Sequence, residues 1–306
     1  MNILVLGGTG FIGSHFVDAA LGEGFSVKVL SRSAEKFRKP LQGVEYRIGD
    51  FKDEKLLAGA LEGVDVVFHA LSASVPATSN KNPQADIENN LLGTVKLLDQ
   101  MVKCGVKRII YLSSGGAVYG NSAKTPVAET EPTNPLSSYA ITKVAIEDYL
   151  LLYEKLHGLR PLIFRPSNVY GPRHGHIGVQ GLITTSLSEA LHGRALKVWG
   201  DGTAIRDYLY IDDFIKLCIL GLKSDEVGIF NAGAGCGHSV LEIIDAISQI
   251  LGKKVDAIFG KSNPTDVKKI VLDISKARRT FGWKPVTALS DGIKLTSEWM
   301  ARNLES

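Results

Sequence analysis

Through Tyr170 the chain alternates short β-branched runs with longer stretches whose apolar residues recur at helical spacing. That alternation is the pattern of repeated βα units wound around a parallel sheet. It predicts strands at Asn2–Leu6, Ser26–Leu30, Glu45–Ile48, Val64–His69, Arg108–Leu112 and Leu162–Phe164. Helices are predicted at Phe11–Glu23, closed by Gly24, and at Asp53–Glu62, where Leu56, Leu57, Ala60 and Leu61 share one face before Gly63. Asp86–Cys104 and Ser138–His157 are the longest helical stretches, the second with Leu150, Leu151 and Leu152 in succession. Both carry more apolar surface than one sheet face requires, which fits either core packing or a subunit interface.

The pattern changes after Gly171–Pro172, where glycines crowd 171–181 and 200–202 and the regular alternation stops. Helices are expected at Thr184–His192, at Val240–Leu251 and from about Leu289, with strand-like pieces at Leu196–Val198 and Gly228–Asn231. This half reads as too irregular for a second open sheet. The expected architecture is α/β, with a Rossmann-type doubly wound parallel sheet over 1–171 and a smaller mixed α/β C-terminal domain over 172–306. Segment 205–225 is expected to pack back on the first domain.

Composition narrows the function classes. The chain has 306 residues, and its 35 Lys and Arg against 32 Asp and Glu leave a formal charge of +3, too balanced for neutralising a phosphate backbone. Nucleic acid is therefore not an expected partner. Cys104, Cys218 and Cys236 lie far apart and form no C-x-x-C, so neither a zinc site nor a disulfide framework is indicated and a reducing cytoplasm fits. No span of ~18 apolar residues and no basic region ahead of an apolar core suggests a membrane helix or signal peptide. The unusual number is 32 glycines, about one residue in ten against an ordinary ~7%.

Some of those glycines form Gly7-Gly8-Thr9-Gly10-Phe11-Ile12-Gly13, directly after the first predicted strand and opening the first helix. In that context a glycine pattern marks a dinucleotide site rather than a merely structural turn. Gly7 permits the tight exit, Gly10 lets the backbone approach a pyrophosphate, and Gly13 lets the helix pack on the sheet while its first N–H groups face the anion. An NAD site usually places a carboxylate at the end of the second strand to hold the ribose 2′-hydroxyl. Here the strand ends Val29-Leu30-Ser31-Arg32. A small hydroxyl followed by a guanidinium suits a 2′-phosphate and favours NADP over NAD, the alternative being a solvated surface arginine. Asp50 is placed to accept from the adenine amino group or to cap the following helix.

Tyr139 and Lys143 stand four residues apart, on one face of a helix. A tyrosine with an ordinary pKa of ~10 serves as acid or base near neutrality only when that value is lowered, and a neighbouring cation favours the phenolate. No H-x-x-x-H or H-E pattern implies a metal. Cys236 and His238, among Gly233, Gly235 and Gly237, read as a tight turn; His174 and His176 lie in the glycine-rich crossover.

Taken together the chain resembles the extended short-chain dehydrogenase/reductases, in their nucleotide-sugar epimerase/dehydratase branch. The resemblance covers nearly the whole chain. It rests on the glycine turn, Phe68-His69-Ala70, Asn90-Leu91-Leu92-Gly93-Thr94, the Ser113–Gly120 segment, Tyr139 with Lys143, Arg165–Pro172, Gly200-Asp201-Gly202 leading to Arg206-Asp207-Tyr208, and Phe281–Pro285. It implies an NAD(P)-dependent, cytoplasmic, homodimeric enzyme that epimerises a nucleotide sugar by transient oxidation at C4, the C-terminal domain binding substrate. Tyr139 is the implied acid/base, Lys143 holds the nicotinamide ribose, and Asn168 and Arg206 contact the substrate's diphosphate. Gly7, Gly10, Phe11, Ile12, Gly13, Ser31, Arg32, Asp50, Phe51, Ala70 and Asn90 complete the cofactor site.

Three departures stand out. The catalytic Ser or Thr of many relatives falls on Gly115, leaving Ser114 to take its place at the substrate hydroxyl or to cap the strand. An arginine common three residues before Asp266 is Asn263, with Lys261 nearby as a substitute point charge. Ser31-Arg32 replaces the acidic NAD signature, and a chain preferring NADPH fits a 4-keto-sugar reductase; a catalytically silent NADP(H)-binding protein is the remaining alternative. Gly115-Gly116 also stands where dehydratases usually keep an Asp-Glu pair, so dehydration is not expected.

Overall fold

A computed structural model of the chain describes residues 1–35, 37–74, 79–122, 124–175, 181–262 and 267–303. They form two compact units. One comprises Met1–Ser114, Ser138–Arg165 and Ile215–Phe230; the other comprises Gly115–Ser137, Pro166–Phe214 and Asn231–Ser306.

The first unit is built on β1 (Asn2–Leu6), β2 (Ser26–Ser31), β3 (Val44–Ile48), β4 (Val66–His69), β5 (Arg108–Leu112) and β6 (Arg160–Pro166). They lie in the order β3-β2-β1-β4-β5-β6, and Gly228–Ala232 adds the seventh strand beside β6. Every pair from β3 to β6 is parallel. Parallel strands are covered on both faces, so they read as continuous apolar runs: β4 and β5 are buried at every position. This is the Rossmann-type sheet expected from the βα alternation. Its order reverses between β1 and β4, the place where such sheets open a crevice for ligands.

Helices α1 (Phe11–Gly22), α2 (Glu54–Leu61), α3 (Pro83–Asp86), α4 (Gly93–Lys103) and α5 (Ser138–His157) accompany the sheet. Leu57, Leu97, Leu98, Met101, Ile146 and Leu150 bring α2, α4 and α5 into one buried core with Leu4, Val67 and Ile109 of the strands. The stretch predicted as one helix from Asp86 to Cys104 is interrupted by a π turn at Ile87–Leu92. Asn82 caps α3 by accepting from the Ala85 amide at 3.1 Å. The inserted turn carries Asn90 into the interior, a device common at functional sites. Gly93 follows because a Cβ there would lie 2.6 Å from the Phe51 ring.

Two strands differ from expectation by more than one residue at an end. β4 begins at Val66 because the Val64 amide donates back to Leu61 and the Asp65 amide to Asn2, closing the turn at Gly63. β6 extends beyond Leu162–Phe164 to Arg160 and Pro166. Its charged residues hid the extension, since Arg165 is buried by pairing with Glu147.

In the second unit, Asn168–Tyr170, Ile205–Tyr210, Gly237–Ser239 and Lys269–Ile270 form a four-stranded mixed sheet, and Leu196–Trp199 pairs separately with Ala257–Gly260. This half therefore holds more sheet than its sequence pattern showed. Ile205–Tyr210 opens on Arg206-Asp207, and the buried Asp207 breaks the apolar pattern by which a strand is read. Helices Leu182–Leu191, Val240–Leu251 and Leu289–Asn303 fall close to expectation. Val240–Leu251 is delimited by the Ser239/Glu242 capping box and by Gly252 in the left-handed conformation. Ser275–Phe281 of this unit, and Ile211–Lys223, which belongs to the first unit from Ile215 onward, are helices that the pattern did not reveal. No described helix is long and apolar enough to cross a membrane.

Candidate active site

The glycine turn leaves β1 at Gly7, whose φ of +80° favours glycine. The Gly10 amide donates to the Gly7 carbonyl at 3.0 Å and the Ser14 amide to the Gly10 carbonyl at 2.9 Å, so α1 begins immediately. A Cβ on Gly13 would stand 2.1 Å from the Gly7 carbonyl oxygen, and one on Gly8 2.7 Å from Val29. No side chain fits at either place. The first-turn amides of Phe11, Ile12 and Gly13 have no intrahelical acceptor by helix geometry. This backbone cradle suits a dinucleotide pyrophosphate.

Next to it the first unit holds an open cleft lined by Leu30, Ser31, Arg32, Gly49–Lys52, Leu71–Ala73, Asn89 and Asn90. Ser31 is buried and its hydroxyl accepts from the Thr9 amide at 3.4 Å, joining the end of β2 to the glycine turn. Arg32 is exposed. Asp50 is not a helix cap: its Oδ1 accepts from the Lys52 amide at 2.9 Å, while Asp53 caps α2 by accepting from Lys55 and Leu56. The three-residue offset decides this, because a cap must reach amides two and three positions ahead. Phe51 packs against His69, with ring centroids 6.0 Å apart. The Ala70 amide donates to Leu6 at 3.0 Å, and Asn90 Oδ1 accepts from the Ala73 amide at 2.8 Å.

Beyond β5, the Ser114 hydroxyl adjoins the Tyr139 phenol closely enough to favour its ionised form. Tyr139 is half-buried as a whole, but its phenol is withdrawn from water, which pushes its pKa above the ordinary value. The Ser114 hydroxyl opposes that rise and the charge of Asp86 adds to it. The direction is opposite to what the adjacent ammonium alone would give. Lys143 is 5% exposed. Its Nζ donates to the Leu112 carbonyl at 2.7 Å and lies 4.8 Å from the Tyr111 ring centroid and 5.7 Å from that of Tyr139. Burial lowers its pKa to about 8, against the opposing charges of Glu147 and Asp86. Glu147, one turn further along α5, is itself buried, with Arg165 Nη2 at 2.5 Å and Ser113 Oγ also donating to it.

In the second unit, Asn168 is the register partner of Tyr208, two residues from Arg206. Registered neighbours of a parallel pair and alternate residues of one strand share a face. Asn168 and Arg206 therefore stand on one face of that sheet and Asp207 on the other. The alternative of an Arg206–Asp207 ion pair does not hold. Asp207 accepts from the amides of Ala234, Gly235 and Leu272, at 2.7, 3.1 and 3.2 Å, while Arg206 Nη1 donates to the Ile205 carbonyl at 2.9 Å. Gly116 leaves room for Asn168, whose Oδ1 would lie 3.0 Å from an added Cβ. His176, Asn263 and Asp266 lie outside the described residues.

Among the described residues no cluster of His, Cys, Asp or Glu is arranged to hold a metal ion. Cys236 Sγ and His238 Nε2 are 3.8 Å apart, in a loop turned by Gly235 at φ +73°. Two features of the site escaped sequence reading, Asp86 and the Glu147–Arg165 pair. The available signals were Glu147 one turn after Lys143, and Asp86 one turn before Asn90.

A sequence model of the NAD dependent epimerase/dehydratase family matches residues 3–233. A putative UDP-glucose 4-epimerase of Methanocaldococcus jannaschii is 37% identical over 303 residues, covering 98% of this chain and 99% of that protein. The UDP-glucose 4-epimerase of Thermotoga maritima, solved with UDP-glucose, superposes with a TM-score of 0.95 at 34% identity, covering 99% of this chain and 100% of that one. The Thermus thermophilus UDP-glucose 4-epimerase, in complex with NAD, gives a TM-score of 0.94 at 32% identity, with the same coverage. The Ser114–Tyr139–Lys143 arrangement and the glycine cradle thus sit in a chain that belongs to the NAD-dependent epimerase/dehydratase family.

Proposed function

We propose that this protein is a cytoplasmic nucleotide-sugar 4-epimerase acting on a UDP-hexose. The observation that carries the reading is Lys143 bound to the end of β5, with the Ser114 hydroxyl beside the Tyr139 phenol, in the unit that also holds the glycine cradle. The cradle of Gly7, Gly10 and Phe11–Gly13 holds the dinucleotide pyrophosphate, Asp50 and Phe51 the adenine, and Ala70, Asn90 and Lys143 the nicotinamide half. When bound, the nicotinamide supplies the acceptance and return of hydride at sugar C4. Tyr139 takes the proton of the 4-hydroxyl and gives it back, while Ser114 directs the phenol in place of the residue absent at Gly115. Asn168 and Arg206 bind the substrate's diphosphate, for which a guanidinium offers bidentate donors. Purified protein supplied with UDP-glucose is expected to reach a mixture with UDP-galactose without net consumption of NAD(P)H; no interconversion of 4-epimers overturns the reading.

The Ser31–Arg32 pair lining the cleft supports NADP over NAD, and with it a second reading as an NADPH-dependent 4-keto-sugar reductase. Steady oxidation of added NADPH by a 4-keto nucleotide sugar, with no epimer interconversion, would establish the reductase. We further propose a homodimer through α4 and α5. Ile141, Tyr149, Leu152 and Leu156 form an exposed apolar stripe along α5, Leu156 at 65% exposure, and such stripes favour burial against a second copy. A monomeric mass by light scattering at micromolar concentration contradicts it.

A further inference from the structure

Asp86, the last residue of α3, is buried, and its carboxylate collects four donors. Oδ1 accepts from Ser74 Oγ and from Asn90 Nδ2, the latter at 2.7 Å. Oδ2 accepts from Ser138 Oγ at 2.7 Å and Thr142 Oγ1 at 3.0 Å. Ser138 and Thr142 immediately precede Tyr139 and Lys143, so one carboxylate oxygen grips two hydroxyls one turn apart at the start of α5. Asn80 adds a bond to the Ser138 amide at 2.8 Å. On the other side Asn90 extends the network to the Ala73 amide in the loop after β4.

None of the four donors is a cation. A buried carboxylate with neutral partners keeps its field, and the nearest titratable groups feel it. Tyr139 faces Asp86 from α3, Tyr111 and Ser114 from β5 and its continuation, and Lys143 from its own helix. Lys143 faces Asp86, Glu147, the Tyr111 ring and His69 of β4, and Glu147 is paired with Arg165 of β6. Asp86 opposes the phenolate and supports the ammonium.

We propose that Asp86 is a positioning residue of the reaction, fixing the first turn of α5 through Ser138 and Thr142 and setting the charge that Tyr139 and Lys143 face. The proposal rests on Tyr139 and Lys143 being the reacting pair. It separates two contributions. The clamp holds the phenol in line, and the charge resists formation of the phenolate.

Asp86→Asn keeps the shape and removes the charge, and the hydroxyls of Ser138 and Thr142 can rotate to accept from the new amide. The tyrosinate absorbance of this variant, read as the difference from a Tyr139→Phe background, is expected to move the Tyr139 ionisation down by about one pH unit. The alkaline limb of the epimerisation profile moves with it. The pair Ser138→Ala with Thr142→Val keeps the charge and removes the clamp; it is expected to lower kcat at least ~10-fold with KM and the pH profile unchanged. Asp86→Asn with an unmoved tyrosinate titration overturns the proposal, whatever happens to its melting temperature. If that variant does not fold, full kcat in the Ser138/Thr142 variant overturns it. The titration does not depend on turnover, so undiminished activity of Tyr139→Phe would reject the reacting pair without being confused with either result.

Discussion

Lys143, one turn beyond Tyr139, donates to the carbonyl of Leu112 at 2.7 Å, two residues before Ser114, whose hydroxyl adjoins the Tyr139 phenol. The end of β5 and the first turn of α5 are therefore tied together beside the phenol. The tie carries the ammonium, and the Ser114 contact carries the phenol. Tyr139→Phe is expected to reduce kcat by about 10²–10⁴-fold, the range for a positioned acid/base, with cofactor affinity unchanged in a fluorescence titration. Ser114→Ala should cost less, about 5-fold, because it removes one neutral polar contact of ~1 kcal/mol. Equal activity of Ser114→Ala and wild type would show that Ser114 does not serve in place of Gly115.

His69 couples the site to acid stability. Its Nδ1 accepts from the Leu71 amide at 3.3 Å, so Nε2 carries the proton and donates to Thr94 Oγ1, 3.1 Å away, which in turn donates to the Asn90 carbonyl at 2.7 Å. Protonating Nδ1 breaks this chain, and burial first, then the charge of Lys143, lowers the pKa from 6.5 to about 3. The unfolded chain takes up this proton below pH 6.5 and the folded one only near pH 3. The stability that neutral His69 contributes is full above pH 6.5 and is lost as pH falls from 6.5 toward 3, several kcal/mol at ~1.4 kcal/mol per unit. Urea unfolding of His69→Asn should show a shallower slope of stability against pH in that window. An unchanged slope rejects the assignment.

Glu147 and Arg165 are 2% and 5% exposed at their side chains. Removing one partner of such a pair leaves a buried charge alone, so Glu147→Leu is expected to destabilise by ~3–5 kcal/mol in urea titration. Glu147→Leu combined with Arg165→Met removes both charges and should recover much of the loss. Additive losses in the double variant would show that the pair is not the unit of stability.

Arg32→Ala tests the cofactor preference. A guanidinium bonded to a 2′-phosphate contributes ~1.5–3 kcal/mol, so NADP affinity should fall about 10- to 100-fold while NAD affinity stays nearly constant. Calorimetric titration of both nucleotides reads this directly, and equal losses for the two would reject a 2′-phosphate contact.

Much of this was legible before the structure, and the reasons are local. A glycine turn after a β-branched run is set by backbone sterics, so Gly7, Gly10 and Gly13 announced themselves. Tyr139 and Lys143 share a helix face by spacing alone. The Asp86 clamp was not visible because its four donors come from three separate segments brought together only by the fold. Asp207 was open to misreading for a related reason: it sits beside Arg206 in sequence, yet strand geometry turns the two to opposite faces and backbone amides claim the carboxylate. The π turn at Ile87–Leu92 left no periodicity signal, since one extra residue in a helical stretch barely shifts the apolar pattern.

The central claim is transient oxidation at C4 with return of the same hydrogen. UDP-glucose carrying deuterium at C4 should yield UDP-galactose that retains the label, without dilution by added unlabelled cofactor or by solvent. Loss of deuterium to the cofactor pool or to water during interconversion would contradict the account.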